Sequence, residues 1–480
     1  MVSRVLLLAG SALALTAGTA SAATINVNTT ADGYLADGKC GLREAVQGAR
    51  LNTKVDTCPK GETKRDTIVL RDKTYGLTVP PTNEVANVNG DLDVSGGGPI
   101  TVLGKGPAAT TIQNLGQDRV FELTGQEADL RIDKVEVSGG DVTPYGGADG
   151  FGGSIVSFGG KLTVARSEVR SGEADSGGGI ASFGPLVVDR TTFSSNDAGV
   201  SGGTLRLEGS TKIKRMTLNS SDVASNANDV FGGAIMADSP QGVTIADSSL
   251  RGSGADTTGG AFDAYGGAIY VDGGTLKLRR SEISNNGVAA LTAGRDESGA
   301  GVYVDSGATL NVINSTFFGN QAGSPDGFAG AIYNVGTANV QHTTLDTNLA
   351  AGAVKQIYNA GDFELGTSIV TGDNTDDPCS GATLDTLGFN VAEFDDPSCG
   401  YGPQDEEDGF LNLGSLADNG GPTLTVAPSP STDAVDFVPK GACKTITKSR
   451  DQRGRVRPNV VGGVKQKCDA GAFELGAKKP

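Results

Sequence analysis

The chain has 480 residues, among them 73 Gly, 16 Phe and 9 Tyr but no Trp, and 56 acidic against 39 basic side chains. A formal net charge of −17 repels phosphate backbones and anionic lipid, which argues against nucleic-acid and peripheral-membrane partners. A single His excludes a metal cage built on imidazoles.

In chain order, residues 1–22 read as a secretory signal: Arg4, an apolar stretch from Val5 to Ala17, then Ala20-Ser21-Ala22 as cleavage site. The apolar run is too short to span a bilayer, and no later stretch is long enough to do so as a helix. No Cys follows the cleavage point and the last residues, Gly476 to Pro480, bring no hydrophobic tail. The expectation is a soluble exported protein, secreted or extracellular, periplasmic or loosely held at the cell surface, and not integral to a membrane. Residues 23–90 then read as an N-terminal cap, 91–375 as a repeat region and 376–480 as a C-terminal cap.

Within the first cap, Leu42, Ala45, Val46 and Ala49 recur at i, i+3, i+4 and i+7, which predicts a short helix with one apolar face. Arg43 and Glu44 are neighbours in sequence and point apart on such a helix, so they suit a structural cap better than an active-site pair. The six Cys form three local couples, Cys40 with Cys58, Cys379 with Cys399, and Cys443 with Cys468. Export favours disulfides, and the Cys-free middle favours pairing within each couple. Metal ligation is the other reading, but no couple has C-x-x-C spacing.

In the middle, Ile155, Ile180, Leu205, Ile235, Ile269, Val302, Ile332 and Ile357 form one column at intervals of 25 to 34 residues. Downstream, each unit reads apolar-x-apolar-x-x-Ser/Thr-x-apolar-x-x-Asn, as in Leu276, Leu278, Ser281, Ile283 and Asn286. Short alternating stretches broken by Gly and Asn are strands, and a unit this short has no room for a helix. A right-handed parallel β-helix follows, because like residues stack on like and parallel crossovers keep one hand. Hydroxyls (Ser167, Thr191, Ser248, Ser281, Ser315, Thr343, Ser368) and amides (Asn196, Asn286, Asn320, Asn348) should form corner ladders, with structural roles.

The count from the apolar column to the Asn position stays at 16 to 18, whereas the count onward to the next unit ranges from 8 to 16. Insertions therefore gather at one corner, and residues 222–230, 254–264, 287–297 and 321–327 are expected as stacked loops outside the core. They carry Asp222 and Asp229 and the ligand-binding candidates Asp256, Asp263, Arg295, Asp296, Glu297 and Asp326. Carboxylates beside a groove suit Ca²⁺ or sugar hydroxyls; the competing reading is a solvated acidic edge that discourages association. Ca²⁺ is the one ion considered, and no cofactor is expected. The aromatics Phe151, Phe231, Tyr265 and Phe328 each precede their unit's apolar residue by four and read as a packed stack rather than as sugar platforms.

Enzyme signatures are thin, and no catalytic residue is assigned. His342 occupies a column shared with Arg166, Arg190, Arg215, Asp247, Arg280, Asn314 and Thr367, which reads as surface. Gly146 to Gly150 is too short a match to calcium-binding nonapeptides. Asp451 and Arg453 read as ties that fix the C-terminal cap. Asn374-Thr-Asp376-Asp377 resembles the first motif of β-helical polygalacturonases, but the Gly-His-Gly partner is absent.

Two further resemblances cover more of the chain. Gly-Gly-Ala-Ile at Gly232 and Gly266, with Phe193-Ser-Ser-Asn196 and Phe317-Phe-Gly-Asn320, is similar to the paired motifs of polymorphic outer-membrane proteins, β-helical surface adhesins. Those normally end in a translocating β-barrel, which is not found here. Cys40-Gly-Leu-Arg-Glu-Ala-Val46 resembles the CSLREA motif of exported bacterial β-helix proteins, with Gly41 in place of Ser. Leu416 to Leu424, Asp451-Gln-Arg-Gly454 and Cys468 to Glu474 resemble the choice-of-anchor Q domain. That resemblance implies an exported β-helix and no particular reaction. The expected role is binding or structural, adhesin-like, by a monomer whose partner is an extracellular glycan or another cell-surface component. The alternative is a polysaccharide lyase or glycoside hydrolase acting on a glycan in the groove.

Overall fold

The computed structural model describes residues 22–81, 86–144, 149–225, 228–257, 259, 262–290, 295–323, 327–350, 353–372, 377–446, 450–458, 460–461, 464–465 and 467–478. The signal segment up to residue 21, Asp326, Asn374 to Asp376 and part of the 146–150 stretch lie outside them.

Each coil of the middle region contributes short strands that pair in parallel with the coils before and after. In one coil these are Ile155–Ser157, Lys161–Ala165, Glu168–Arg170 and Glu173–Ser176. The register reproduces the sequence column: Ile155 pairs with Ile180, Ile180 with Leu205, then Ile235, Ile269, Val302, Ile332 and Ile357 follow in turn. The chain is therefore a parallel β-helix. The column also runs beyond those units, back through Phe121 to Leu92 and forward to Cys379. Parallel strand pairing continues to Val391–Ala392, and a last parallel bridge joins Val391 to Glu406, so coils continue past residue 375.

Three strand stacks enclose the bore. Leu162, Leu186, Leu276 and Leu310 fill it from the second stack and Val169, Phe193, Ile283 and Phe317 from the third, all fully buried. Between these stacks the chain turns on a single residue in the left-handed region, at Lys134, Arg166, Arg190, Arg215, Asp247, Arg280, Asn314, His342 and Thr367, with φ between 47° and 60°. The hydroxyl column follows directly and repairs the backbone pairing that the turn interrupts. The Ser281 hydroxyl accepts from the Ser248 N–H at 3.4 Å and donates to the Arg279 carbonyl at 3.1 Å. At the next corner the amide ladder forms as expected: Asn286 Nδ2 donates to Asn320 Oδ1 (2.8 Å), and Asn320 Nδ2 to Asn348 Oδ1 (2.7 Å).

The N-terminal helix, α1 (Leu42–Leu51), buries Leu42, Ala45, Val46 and Ala49 against the first coils. Arg43 is wholly buried; it pairs with Asp32 at 2.8 Å and donates to the carbonyls of Gly90 and Asp91, both at 2.6 Å. Glu44 turns the other way and accepts from the Gly41 N–H at 2.9 Å. The disulfides are Cys40–Cys58, Cys379–Cys399 and Cys443–Cys468, which place the folded chain in an oxidising compartment. No helix among the described residues is long and apolar enough to cross a membrane.

The C-terminal segment does more than close an end. After the last coil it doubles back as a strap along the third stack, through an antiparallel pair (Leu413–Ala417 with Thr425–Pro428) and a short helix, α2 (Lys440–Ile446). Thr316 Oγ1 donates to Gln452 Oε1 at 2.7 Å, Asn314 Nδ2 to the Arg450 carbonyl at 2.9 Å, and the Ala472 N–H to Thr344 Oγ1 at 3.1 Å. This corrects the placement of His342 at the surface. Its column is exposed or half-exposed from Lys134 to Arg280, but the strap covers it from Asn314 onward, and His342 is completely buried. His342 Nδ1 lies 2.6 Å from Arg457 Nη1, and burial, with the Arg457 charge added, holds its pKa well below the ordinary imidazole value. Asp451 and Arg453, paired at 2.6 Å, do tie the strap together.

Candidate functional site

The described parts of the long corners form a small second layer of strands. In the coil with a short corner one strand, Asp197–Ser201, suffices; its first half pairs with Asp222–Ser225 and its end with Val230–Phe231. From there two stacks run in parallel, Gly254–Thr257 and Gly287–Ala290 in one, Ala264–Tyr265 and Glu297–Ser298 in the other. Val223, Val230, Ala255, Ala264, Val288, Ala300 and Ala322 pack between them as a core of their own, separate from the bore. The expectation of loops fails for the described parts of the insertions, because one buried apolar residue per strand (Val223, Ala255, Val288) and coil-on-coil pairing of the backbone hold them in register. The placement outside the main core holds.

This arm separates the acidic candidates. Much of the acid charge caps backbone: Asp197 accepts from the Asp222 N–H (3.2 Å), Asp222 from Gly254 (2.9 Å), Asp229 from Asp263 (2.9 Å), and Asp263 from Asp296 (3.0 Å). Glu297, proposed as a ligand group, is fully buried and accepts from the Ala290 N–H at 2.5 Å, so it joins the two stacks instead. Asp256 is pushed up to about 6, by burial first and then by the charges of Asp222 and Glu297. Arg295 stands 4.0 Å from Asp263, and both are partly exposed. Among the described residues, the one grouping tight enough for a metal ion is Cys379, Asp396 and Cys399, where both thiols are consumed in a disulfide. Asp263, half-buried, and Asp296, exposed, thus remain, with Arg295 beside Asp263.

Opposite them stands a feature that the motif reading missed. On the first stack, the residue after the apolar column points outward, and four successive coils place Tyr270, Tyr303, Tyr333 and Tyr358 there in register. Their ring centroids are 5.0, 4.9 and 4.5 Å apart with planes within 12° of parallel. Phe231 and Tyr265, stacked at 5.8 Å, and Phe328, 5.3 Å from Tyr358, pack against this ladder from the arm. The four expected aromatics therefore do pack, but not as one column: Phe151 meets Phe183 instead. The signal was present in the sequence as Tyr at the position after Ile269, Val302, Ile332 and Ile357.

Ring faces are covered by the next ring; Tyr270 is buried, while Tyr303, Tyr333 and Tyr358 are half-buried. The Tyr270 hydroxyl donates to Asp305 (2.5 Å) and that of Tyr265 to Asp263 (3.3 Å). Burial, reinforced by Tyr358 and then Asp296, pushes Tyr333 up to about 12; burial raises Tyr303 too, with Tyr333, Asp305 and Asp296 adding to it. The phenols therefore stay protonated donors, and Asp263, Asp296 and Asp305 stand beside them as acceptors. A second acidic cluster was also missed: Asp91, Asp118 and Glu122 gather around Arg119 near the N-terminal end, and burial raises all three pKa values. No family model matches this chain, and no curated protein matches it.

Proposed function

We propose that the chain is an exported, adhesin-like β-helix that binds a neutral glycan along the tyrosine ladder. The ladder carries this reading. Its phenol edges repeat at the solenoid rise, about 4.8 Å, which is near the length of one pyranose unit. The Tyr303 phenol as donor, and the carboxylates of Asp296, Asp263 and Asp305 with their remaining lone pairs as acceptors, match hydroxyls, which both give and take hydrogen bonds. The same carboxylates repel an anionic chain. The disulfides and the signal-like residues 1–22 support export, as does the CSLREA and choice-of-anchor Q resemblance.

The test is binding of the full chain to an array of neutral polysaccharides, compared with the double variant Tyr303→Phe/Tyr333→Phe. The variant keeps the rings stacked and removes two hydroxyls, each bond contributing about 1 kcal/mol. Affinity should drop roughly tenfold or more with an unchanged melting temperature. Equal binding by the variant, or an array without a single bound neutral glycan, would refute the reading. Asp256 supports one alternative, since a carboxyl held near 6 is a plausible proton donor at neutral pH. Release of reducing ends from a bound glycan, abolished in Asp256→Asn, would favour a glycoside hydrolase.

A further inference from the structure

A cationic grid stands on the second strand stack, beyond the bend that follows the tyrosine ladder. In Thr211–Lys214 and Leu276–Arg279, two coils apart, Lys212, Lys214, Lys277 and Arg279 alternate with buried residues and point outward, exposed. The intervening strand places Thr244 between Lys212 and Lys277, and Ala246 between Lys214 and Arg279. Two coil steps separate the cations across the stack, about 9.5 Å, and two residues along the strand, about 7 Å. The small side chains of Thr244 and Ala246 leave a shallow floor between four charged corners.

None of the four is engaged. The nearby acids are taken by the neighbouring corner, where Asp189 pairs with Arg190 (2.7 Å) and Arg215 (3.3 Å), and Asp247 with Arg280 (2.6 Å). Asp189 stands in register beside Lys214, but it is shared between two guanidinium groups, so the grid keeps a net positive charge on a protein of net charge −17.

We infer that this grid is a binding site for an acidic polysaccharide, with carboxylate or sulfate groups seated between Lys212, Lys214, Lys277 and Arg279. Charge complementarity chooses an anion, and the two-step spacing suits a chain charged on alternate sugars. The patch is too small for a phosphate polymer or a lipid surface, which the rest of the molecule repels over its length. The disulfides also place the fold in an oxidising compartment, where acidic polysaccharides rather than nucleic acids are at hand. The inference is independent of the ladder, because the two sites share no residue.

The experiment measures binding of the full chain to immobilised polygalacturonate and chondroitin sulfate in a salt series, with duplex DNA and phosphatidylserine vesicles alongside. Two variants carry the same change in net charge. One replaces Lys212, Lys214, Lys277 and Arg279 with Gln; the other replaces the exposed Lys54, Lys64, Lys73 and Lys105, far along the chain, with Gln. Wild type should bind at least one acidic polysaccharide, and weaken as salt rises. The grid variant should lose roughly tenfold or more, and the control variant should match wild type. Equal losses in both variants would show a net-charge effect and overturn the site. No binding by wild type, or tighter binding to DNA or vesicles than to either polysaccharide, would overturn the inference as well.

Discussion

Replacing Gly267 with Ala is expected to destabilise the solenoid by about 3 kcal/mol, although it adds a single methyl group. Gly267 is the second glycine of a corner where coils meet backbone to backbone. A Cβ there would sit 2.3 Å from the Gly287 carbonyl oxygen and 2.6 Å from that of Ala300. Neither oxygen can yield. Ala300 accepts the Ala268 N–H at 2.9 Å, and Gly287 is paired in the arm. The methyl group must therefore push the next coil away and loosen the arm. Thermal denaturation and hydrogen exchange over 254–304 would read the effect. Gly441→Ala is the control: it lies in α2, a Cβ there meets nothing within 4 Å, and helix propensity favours the change. A Gly267→Ala protein that melts with wild type would mean that the coils are not packed this closely.

The second large effect concerns Arg457. Its guanidinium is fully buried and donates to the carbonyls of Asp469 (3.2 Å) and Gly471 (3.0 Å), faces His342, and lies 3.5 Å from Glu474. Arg457→Met should weaken docking of the strap by about 3–5 kcal/mol, because it leaves a buried carboxylate without its counter-charge. Limited proteolysis should then cut within 410–478 while the coils resist, and a variant as resistant as wild type would contradict this. A pH dependence accompanies it. His342 stays neutral when the strap is docked, whereas a released strap lets it take up a proton below about pH 6.5. Docking is thus fully stable above that pH and weakens as pH falls, by at most about 1.4 kcal/mol per unit. Asp469, raised by burial, acts in the opposite sense lower down, so the window to watch is about pH 7 to 5.5. His342→Gln should flatten protease sensitivity across that window; an unchanged slope would assign it to another group.

The fold was legible because a solenoid repeats its reasons: the column from Ile155 to Ile357 is a register, and sequence intervals alone recover it. The corner ladders were legible for the same cause. What stayed hidden depends on contacts between distant segments. His342 shares its column with arginines, and nothing local distinguishes it until Arg457 arrives, 115 residues later. Glu297 reads as a free acid because its partner, the Ala290 N–H, belongs to a different strand of the arm, a pairing that the spacing does not show. The insertions looked like loops because Val223, Ala255 and Val288 were too sparse to register as a core. The tyrosine ladder is the reverse case: its period is in plain view, Tyr following Ile269, Val302, Ile332 and Ile357, but an outward-facing position carries no burial pattern to mark it.

The strap has a consequence for synthesis. A chain is made from its N-terminus, and each coil can stack as soon as the one before it exists. The coil around Glu282 meets the strap at Leu424, but those around Thr316 and Thr344 keep one flank open until residues beyond 450 appear, since Gln452 and Ala472 supply the contacts that close it. Assembly therefore has two tempos, progressive winding followed by a single late closure. A nascent chain paused anywhere between residues 392 and 450 would carry a wound solenoid with an unsealed side, a state that quality-control proteases can distinguish from the finished molecule.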